Sequence, residues 1–338
     1  MSRLHFFLSR LTRGEHLSRG EASALLEALL APESTDAQIA ATLVALSTKG
    51  ETVDELAGMA AALRTRAVRI NGHHARFIDT AGTGSSSAKT FNISTAAAFV
   101  IAGAGLPVAK HGNRAASSRS GSADVLAALG VNISALPEIS ARCLAELKIC
   151  FMFAPLYHGA TARVAAVRRE LGIHTSFNLL GPLSNPAGAP RQIIGVWRLN
   201  LVEQLANALA ALGTEHAWVV HGQDGLDEIT LADQTVVAEV KDGTVRTFAV
   251  SPEDFGMRQC SLDHLRGGDA QANAEMVRDV LAGDRRDEAR HLVVANAAAA
   301  LFVGGQASDL CAGVGLAEES IDSGSAQAKL DELVQATN

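Results

Sequence analysis

Residues 77–113 read FIDTAGTGSSSAKTFNISTAAAFVIAGAGLPVAKHGN, and this stretch decides the fold. Phe77-Ile78-Asp79 is typical of a buried strand, and the glycine loop after it leads into a helix predicted over Ala96 to Ala104. Pro107-Val108-Ala109 then predicts a second strand. A strand, a helix and a strand in this order indicate a unit of a parallel sheet.

The same alternation continues towards the C-terminus. Ile193-Ile194-Gly195-Val196 and Ala217-Trp218-Val219-Val220 are apolar strand signals beside long helical segments, which indicates a mainly parallel sheet covered on both faces. Thr235 to Val240 and Thr244 to Val250, joined through Lys241-Asp242-Gly243, predict an antiparallel hairpin inserted in that sheet. The predicted fold class is therefore α/β.

The first seventy residues predict helices only. An amphipathic stripe is formed by Leu4, Phe7, Leu8 and Leu11. Three capping boxes follow, in which a hydroxyl caps a helix start and an acid or amide three residues later reaches back: Ser18 with Glu21, Thr35 with Gln38, and Thr52 with Glu55. Lys49-Gly50 is typical of a helix end. These signals predict a small helical bundle ahead of the α/β region.

The composition of the chain argues against several classes of protein. The 338 residues carry a formal charge of −7 and include one tyrosine and two tryptophans, which argues against a basic, base-stacking nucleic-acid surface. No signal peptide or membrane-spanning run is predicted. The four cysteines show no metal-ligand spacing, so we expect reduced thiols in a cytoplasmic protein.

The first candidate site is residues 79–95, where a glycine loop and Ser, Thr and Asn side chains lie between a strand and a helix. Free backbone N–H groups at such a place bind anions. The dinucleotide fingerprint and the Gly-Lys-Ser/Thr motif are both absent. A flexible turn followed by a capped helix remains the alternative.

The second candidate is Lys110 to Ser122, with three cations, one histidine and four serines in a loop after a strand. Lys and Arg form charge-assisted hydrogen bonds with phosphate oxygens. The alternative is an ordinary solvated loop. The third candidate is His221 to Glu228, whose adjacent acids Asp227 and Glu228 suit Mg²⁺; an exposed acidic turn is its alternative. Together the three predict a diphosphate-bearing sugar at the carboxyl edge of the sheet.

These motifs resemble the anthranilate phosphoribosyltransferase family. The residues that carry the resemblance are Gly82-Thr83-Gly84, Asn92-Ile93-Ser94-Thr95, Lys110-His111-Gly112-Asn113-Arg114, Phe177-Asn178-Leu179-Leu180-Gly181-Pro182-Leu183, Asp227-Glu228 and Asn296-Ala297-Ala298-Ala299. The likeness runs in order through nearly the whole chain.

The resemblance implies a fold of the nucleoside phosphorylase/phosphoribosyltransferase type and a homodimer. A helical domain would comprise residues 1–72 and about 156–183, and an α/β domain would comprise residues 73–155 and 184–338. The implied reaction transfers the 5-phosphoribosyl group from phosphoribosyl diphosphate (PRPP) to the anthranilate amine and releases pyrophosphate. Neither nucleic acid nor a membrane is an implied partner.

The resemblance also implies site residues. Two Mg²⁺ ions per monomer would be held by Ser94 with Glu228 and by Asp227 with Glu228. Gly82, Asn113 and Arg168 would contact anthranilate, Arg168 through the carboxylate. PRPP would be bound by Gly82, Ser85, Ser86, Thr90, Asn92, Ile93, Ser94, Thr95, Lys110, His111, Gly112, Asn113, Arg114, Ala115, Ala116, Ser117, Ser118 and Ser122.

One departure from the family pattern concerns the glycine loop. The family usually has Gly-Thr-Gly-Gly-Asp-Gly, whereas this chain has Gly82-Thr83-Gly84-Ser85-Ser86-Ser87. The loop therefore lacks an acid, which makes it less repulsive to a diphosphate. No general base is predicted, because the amine of anthranilate is already neutral at pH 7, and a positioning role is preferred for His111.

Two rival functions are open at this point. A pyrimidine nucleoside phosphorylase shares the architecture but has no need of paired acids on Mg²⁺. A non-catalytic relative that binds nucleic acid or a regulator is the other rival, against which the negative charge and the few aromatics count.

Overall fold

Four helices pack together at the N-terminus of the computed structural model, which describes residues 3–71, 73–84, 90–115 and 120–338. The three predicted capping boxes are confirmed, and Gly50 ends the third helix with a φ of +81°. The helices are α1 (Arg3–Leu11), α2 (Arg19–Leu30), α3 (Asp36–Lys49) and α4 (Val53–Arg66).

A seven-stranded sheet forms the centre of the molecule, in the order β3-β2-β1-β4-β5-β6-β7. The first five strands are parallel and the last two are antiparallel to their neighbours. The strands are β1 (Ile78–Gly82), β2 (Val108–Gly112), β3 (Ile149–Phe153), β4 (Arg191–Gly195), β5 (His216–Gly222), β6 (Thr235–Lys241) and β7 (Thr244–Val250).

Eleven further α-helices lie within the described ranges, and they begin with α5, which starts earlier than predicted. These helices are α5 (Ile93–Gly103), α6 (Ser122–Ala128), α7 (Pro137–Leu147), α8 (Ala154–Tyr157), α9 (Ala162–Leu171), α10 (Ser176–Leu183), α11 (Asn200–Ala211), α12 (Ala270–Leu281), α13 (Glu288–Val303), α14 (Leu310–Asp322) and α15 (Ser325–Thr337). Across the described residues, no helix combines the length and the apolar character needed to cross a membrane.

Helices cover both faces of the sheet, as predicted. One core cluster joins Trp218 and Val220 of β5 to α5, α13 and α15. The other joins Val219 of the same strand to α11 and to the leucines of α1–α4, with α9 and α10 added from later in the chain. Because side chains alternate along a strand, neighbouring residues of β5 enter different cores.

The predicted antiparallel hairpin is confirmed as β6 and β7, and it lies at the edge of the sheet, where β7 has one strand neighbour. Its turn uses Asp242 and Gly243 with φ values of +51° and +74°. The predicted lengths of two strands are corrected. Strands β1 and β2 run further than predicted, because their ladders continue to Gly82 opposite Gly195 and to Gly112 opposite Phe153. Lys110 and His111 therefore lie in a strand and not in a loop.

Candidate active site

The carboxyl ends of β1, β2, β4 and β5 lie side by side at one edge of the sheet. The chain leaves β1 towards β2 and β3 and returns to β4 on the other side of β1. A parallel sheet opens a crevice at such a reversal of strand order, and ligands bind there. All three candidate segments follow strands that end at this edge, as the sequence predicted.

The acidic loop folds over the end of β4. A Cβ on Gly195 would lie 1.6 Å from the carbonyl oxygen of Asp227, so only glycine permits this approach. Gly82 is opposite Gly195 in the ladder, and a Cβ on it would lie 3.5 Å from Asp227 Oδ2. The side chain of Asn296 holds the loop from the other side through both backbone groups of Ile229.

Glu228 meets the start of α5, where Ser94 donates to its carboxylate from both the hydroxyl and the backbone N–H. Burial, and then the negative charge of Asp227, raise the pKa of Glu228 to about 8, while Lys110 and Ser94 act in the opposite direction. Two acids that repel each other beside a hydroxyl form a site that a cation would stabilise. Within the described ranges there is no group of three or more His, Cys, Asp and Glu side chains that could hold a metal.

Lys110 is buried beneath this site. Its Nζ donates to the carbonyl oxygen of Thr80 at 2.5 Å and to Ser94 Oγ at 3.4 Å. Burial lowers the pKa of Lys110, and the charges of Asp79 and Glu228 oppose that change. Lys110, predicted to lie in an anion-binding loop, instead lies in β2, and its side chain is fixed against Thr80 of β1.

His111 contacts the neighbouring helical segment. Burial lowers the pKa of His111 to about 3, and its ring forms a hydrogen bond with the backbone of Gly181 in α10. The ring packs edge-on to His158, with the centroids 5.2 Å apart. A neutral, buried imidazole bonded to the backbone agrees with the positioning role preferred from the sequence.

The buried carboxylate of Asp79 links β1, β2 and the chain after α10. It accepts the backbone N–H of His111 at 3.2 Å and Nδ2 of Asn185 at 2.7 Å. Asn185 also donates to the carbonyl oxygen of Ala109. Burial raises the pKa of Asp79 to about 6, against these hydrogen bonds and the charge of Lys110. Sequence reasoning missed Asn185, which has no site-like neighbours along the chain.

The segment after β2 is held by an acid that lies just outside the predicted motif. Asp124 accepts the backbone N–H groups of Ala115 and Gly121, both at 3.0 Å, and Nη1 of Arg114 at 2.7 Å. Arg114 is thus paired, whereas Asn113 is exposed at the end of β2. Ser122 begins α6 and donates weakly to the carbonyl oxygen of Asn113.

Five of the predicted PRPP contacts lie outside the described residues: Ser85, Ser86, Ala116, Ser117 and Ser118. The residues at the start of α5 are described. Ile93 and Thr95 are buried, and Thr90 and Asn92 are half-buried beside them.

Arg168 lies on α9, on the helical side of the crevice. Its Nη2 donates to Oδ1 of Asn178 at 3.1 Å, and its guanidinium lies 5.6 Å from the ring centroid of Phe177. Burial lowers the pKa of Arg168. Asn178 and Phe177 belong to α10, which also supplies the Gly181 contact to His111. One short helix therefore connects the predicted acceptor arginine to β2.

The loop before α5 is braced by a segment that the sequence did not suggest. Thr90 forms an antiparallel bridge with Arg266. Asn273 Nδ2 donates to Asn92 Oδ1 at 3.0 Å across 181 positions of sequence. Asn92 is the N-cap of α5 but makes no side-chain cap bond. The backbone N–H groups of Thr95 and Ala96 bond to the carbonyl oxygen of Asn92, and that of Ser94 donates to Glu228.

Two models of known protein families match this chain. Residues 7–67 match a family described as "Glycosyl transferase family, helical bundle domain", and residues 74–327 match "Glycosyl transferase family, a/b domain". An anthranilate phosphoribosyltransferase from Anaeromyxobacter dehalogenans is 54% identical over 330 residues, covering 98% of this chain and 97% of its own.

Two solved structures are similar along the whole chain. Anthranilate phosphoribosyltransferase from Thermus thermophilus superposes with a TM-score of 0.91 at 40% identity and covers 98% of both chains. The enzyme from Saccharomyces cerevisiae, in complex with PRPP and Mg, gives a TM-score of 0.88 at 26% identity, covering 99% of this chain and 97% of its own.

Proposed function

This chain belongs to the anthranilate phosphoribosyltransferase family, and we infer that it transfers the 5-phosphoribosyl group of PRPP to the amine of anthranilate and releases pyrophosphate, a step of tryptophan biosynthesis. The observation that carries this inference is the convergence of Glu228, Ser94 and Lys110 at the point where the strand order reverses. Glycine backbone, a buried cation and paired acids at one crevice suit a diphosphate.

Mg²⁺ is the expected cofactor, as in the yeast relative's complex with PRPP and Mg. We propose two ions per monomer, one on Ser94 and Glu228 and the other on Asp227 and Glu228. The raised pKa of Glu228 supports this assignment, because a bound cation offsets the burial and repulsion that raise it. When bound, Mg²⁺ supplies positive charge to the departing diphosphate.

The remaining contacts to PRPP, the phosphoribosyl donor, are proposed from the family pattern. Gly82 offers close backbone approach, and Lys110 adds a buried positive charge directed at Ser94. His111 would position the end of β2 against α10. We propose donor contacts from Gly82, Ser85, Ser86, Thr90, Asn92, Ile93, Ser94, Thr95, Lys110, His111, Gly112, Asn113, Arg114, Ala115, Ala116, Ser117, Ser118 and Ser122.

The acceptor side requires orientation rather than proton abstraction. Breaking the bond between C1 and the diphosphate builds positive charge on the ribose, and the neutral amine of anthranilate attacks C1 as pyrophosphate leaves. The nitrogen then loses its extra proton to solvent or to the departing pyrophosphate. We propose that Arg168 receives the carboxylate of anthranilate, with Asn113 and Gly82 bordering the amine. Asn178 and Phe177 hold the Arg168 side chain in a fixed orientation, which lowers the entropy cost of binding.

The domain division, the oligomeric state and the cellular location are also proposed from the family pattern. We propose a helical domain of residues 1–72 and about 156–183 and an α/β domain of residues 73–155 and 184–338, since α9 and α10 pack with α1–α4 in a core cluster that also takes in α11 and residues of β4, β5 and β6. We further propose a homodimer in the cytoplasm. The four cysteines are free thiols, as expected for a reducing compartment.

The test is an anthranilate fluorescence assay with Mg²⁺ and PRPP. The purified protein should deplete the fluorescence. Asp227→Asn with Glu228→Gln should abolish the depletion and leave the unfolding temperature unchanged or raised, because a buried charge is removed. The matched control is Glu253→Gln with Asp263→Asn, which changes two exposed acids and should keep full activity.

Two outcomes would contradict the proposal. Phosphorolysis of thymidine or uridine without consumption of anthranilate would indicate the nucleoside phosphorylase instead. Full activity in the Asp227→Asn/Glu228→Gln variant would refute the metal assignment while leaving the reaction itself in place.

A further inference from the structure

We propose that Arg266 is an additional donor-binding residue, whose guanidinium holds a phosphate group of PRPP beside Thr90. This inference rests on the proposed function and extends it to a segment that follows the sheet by more than a dozen residues. The supporting observations are a backbone bridge, a set of contacts that fix its position, and the local charge.

The bridge sets the direction of the side chain. Thr90 and Arg266 are directly opposite each other in an antiparallel bridge. Side chains of such a pair lie on the same face, with Cβ atoms about 5 Å apart. The Arg266 side chain therefore leaves the backbone on the face that carries Thr90, a proposed donor contact two residues before the N-cap of α5.

The backbone around Arg266 is fixed against the loop on both sides. Leu265 is fully buried, and a Cβ on Gly267 would lie 2.4 Å from the carbonyl oxygen of Thr90. Asn273 accepts the N–H of Gly268 at 2.7 Å and donates to Asn92. These contacts hold Arg266 beside Thr90, because neither flanking segment can move away without breaking them.

The charge of Arg266 is not neutralised within the part of the chain that the structure describes. The residue is exposed, and no ion pair joins it to a described carboxylate. The described residues from the bridge to the N-cap of α5, Thr90, Phe91 and Asn92, include no acid. An arginine presents a planar fork of donors that matches phosphate oxygens, so an anion between Thr90 and Arg266 gains charge-assisted hydrogen bonds.

Calorimetric titration with PRPP in Mg²⁺ tests the proposal. Arg266→Gln should raise the PRPP dissociation constant by about 10-fold, the loss expected for one exposed charge-assisted contact. Arg266→Lys should retain part of the affinity. Arg258→Gln, which removes an equally exposed arginine from a neighbouring segment, should match wild type.

Salt dependence separates a phosphate contact from a structural role. PRPP affinity of the wild type should fall more steeply with salt than that of Arg266→Gln, since the variant lacks one of the screened charges. The KM for anthranilate should change less than the KM for PRPP. Equal PRPP affinity and equal salt slope in Arg266→Gln and wild type would overturn the proposal.

The outcomes also distinguish this inference from the proposed function. If the wild type transfers the phosphoribosyl group while Arg266→Gln binds PRPP normally, the role of Arg266 alone is overturned. If the wild type binds PRPP without consuming anthranilate, the acceptor assignment is overturned and Arg266 can still be judged by titration. If the wild type binds no PRPP, both proposals are overturned.

Discussion

At the scale of single residues, the site depends on buried groups whose charge state the fold has changed. Glu228 and Asp79 have raised pKa values because they are buried, and the pKa values of His111 and His158 are lowered for the same reason. A general base would need a pKa near the working pH and access to the amine. The buried His111 has neither property.

His158 gives a prediction for acid stability. Burial lowers its pKa to about 4, below the ordinary value of 6.5. The unfolded chain therefore takes up a proton first as the pH falls, so stability decreases between pH 6.5 and pH 4. At pH 5 the loss is about 2 kcal/mol. In His158→Gln, the difference in unfolding free energy between pH 7 and pH 5 should shift by that amount relative to wild type.

Urea unfolding at the two pH values measures this difference. His291→Gln is the control, because His291 is exposed on the surface of α13. A pH difference in His158→Gln equal to that of wild type would show that His158 does not stay neutral in the folded protein.

Residue identities also show how far the sequence could predict the site. The sequence proposed Gly82, Ser94, Lys110 and the acid pair because the chemistry is concentrated in short segments after strands, and the structure brings these residues together. Asn185, Asp124, Asn273 and Arg266 were missed because each acts through a contact across the fold. Asn273, for example, lies 181 positions from Asn92. Its own neighbours in sequence give no sign of that contact.

At the scale of secondary structure, the helix starts of the N-terminal bundle were predicted more accurately than the strand ends. A capping box is formed by residues three positions apart, and all three in the N-terminal bundle are present. The end of β2 depends on how far its ladder with β3 continues, to Gly112 opposite Phe153. That information lies in a strand almost forty residues later, so the polar sequence Lys110-His111-Gly112 was interpreted as a loop.

Two glycines of α14 provide a matched test of helix packing. A Cβ on Gly313 would lie 2.7 Å from the carbonyl oxygen of Ala298 in α13, whereas a Cβ on Gly315 meets nothing within 4 Å. Gly313→Ala should destabilise the protein by about 1–3 kcal/mol, because the helices must move apart. Gly315→Ala should stabilise it by up to about 1 kcal/mol through helix propensity.

Denaturant unfolding of both variants beside wild type measures the two changes. Opposite signs are expected from the same substitution two positions apart. A stabilising Gly313→Ala would mean that α14 does not pack on α13 as closely as described.

At the scale of the whole molecule, the helical bundle and the sheet are not separately packed. Helix α11 lies on α4 and also on β5 and β6. Its buried residues belong to a cluster that contains both the bundle leucines and Ile194 and Val219 of the sheet. Helices α9 and α10, which follow β3 in the chain, also contribute residues to this cluster. A core shared in this way is expected to unfold as one unit.

Leu205 is the residue with which to test that expectation, since it is fully buried in α11. Leu205→Ala should cost about 2–5 kcal/mol. Because the core is shared, hydrogen exchange followed by mass spectrometry should show protection falling together in peptides from α2 and from β5. Leu199→Ala, the same change at a side chain that is 54% exposed, should leave both unchanged. If Leu205→Ala weakened protection in α2 while β5 kept its wild-type protection, the bundle would be an independent folding unit.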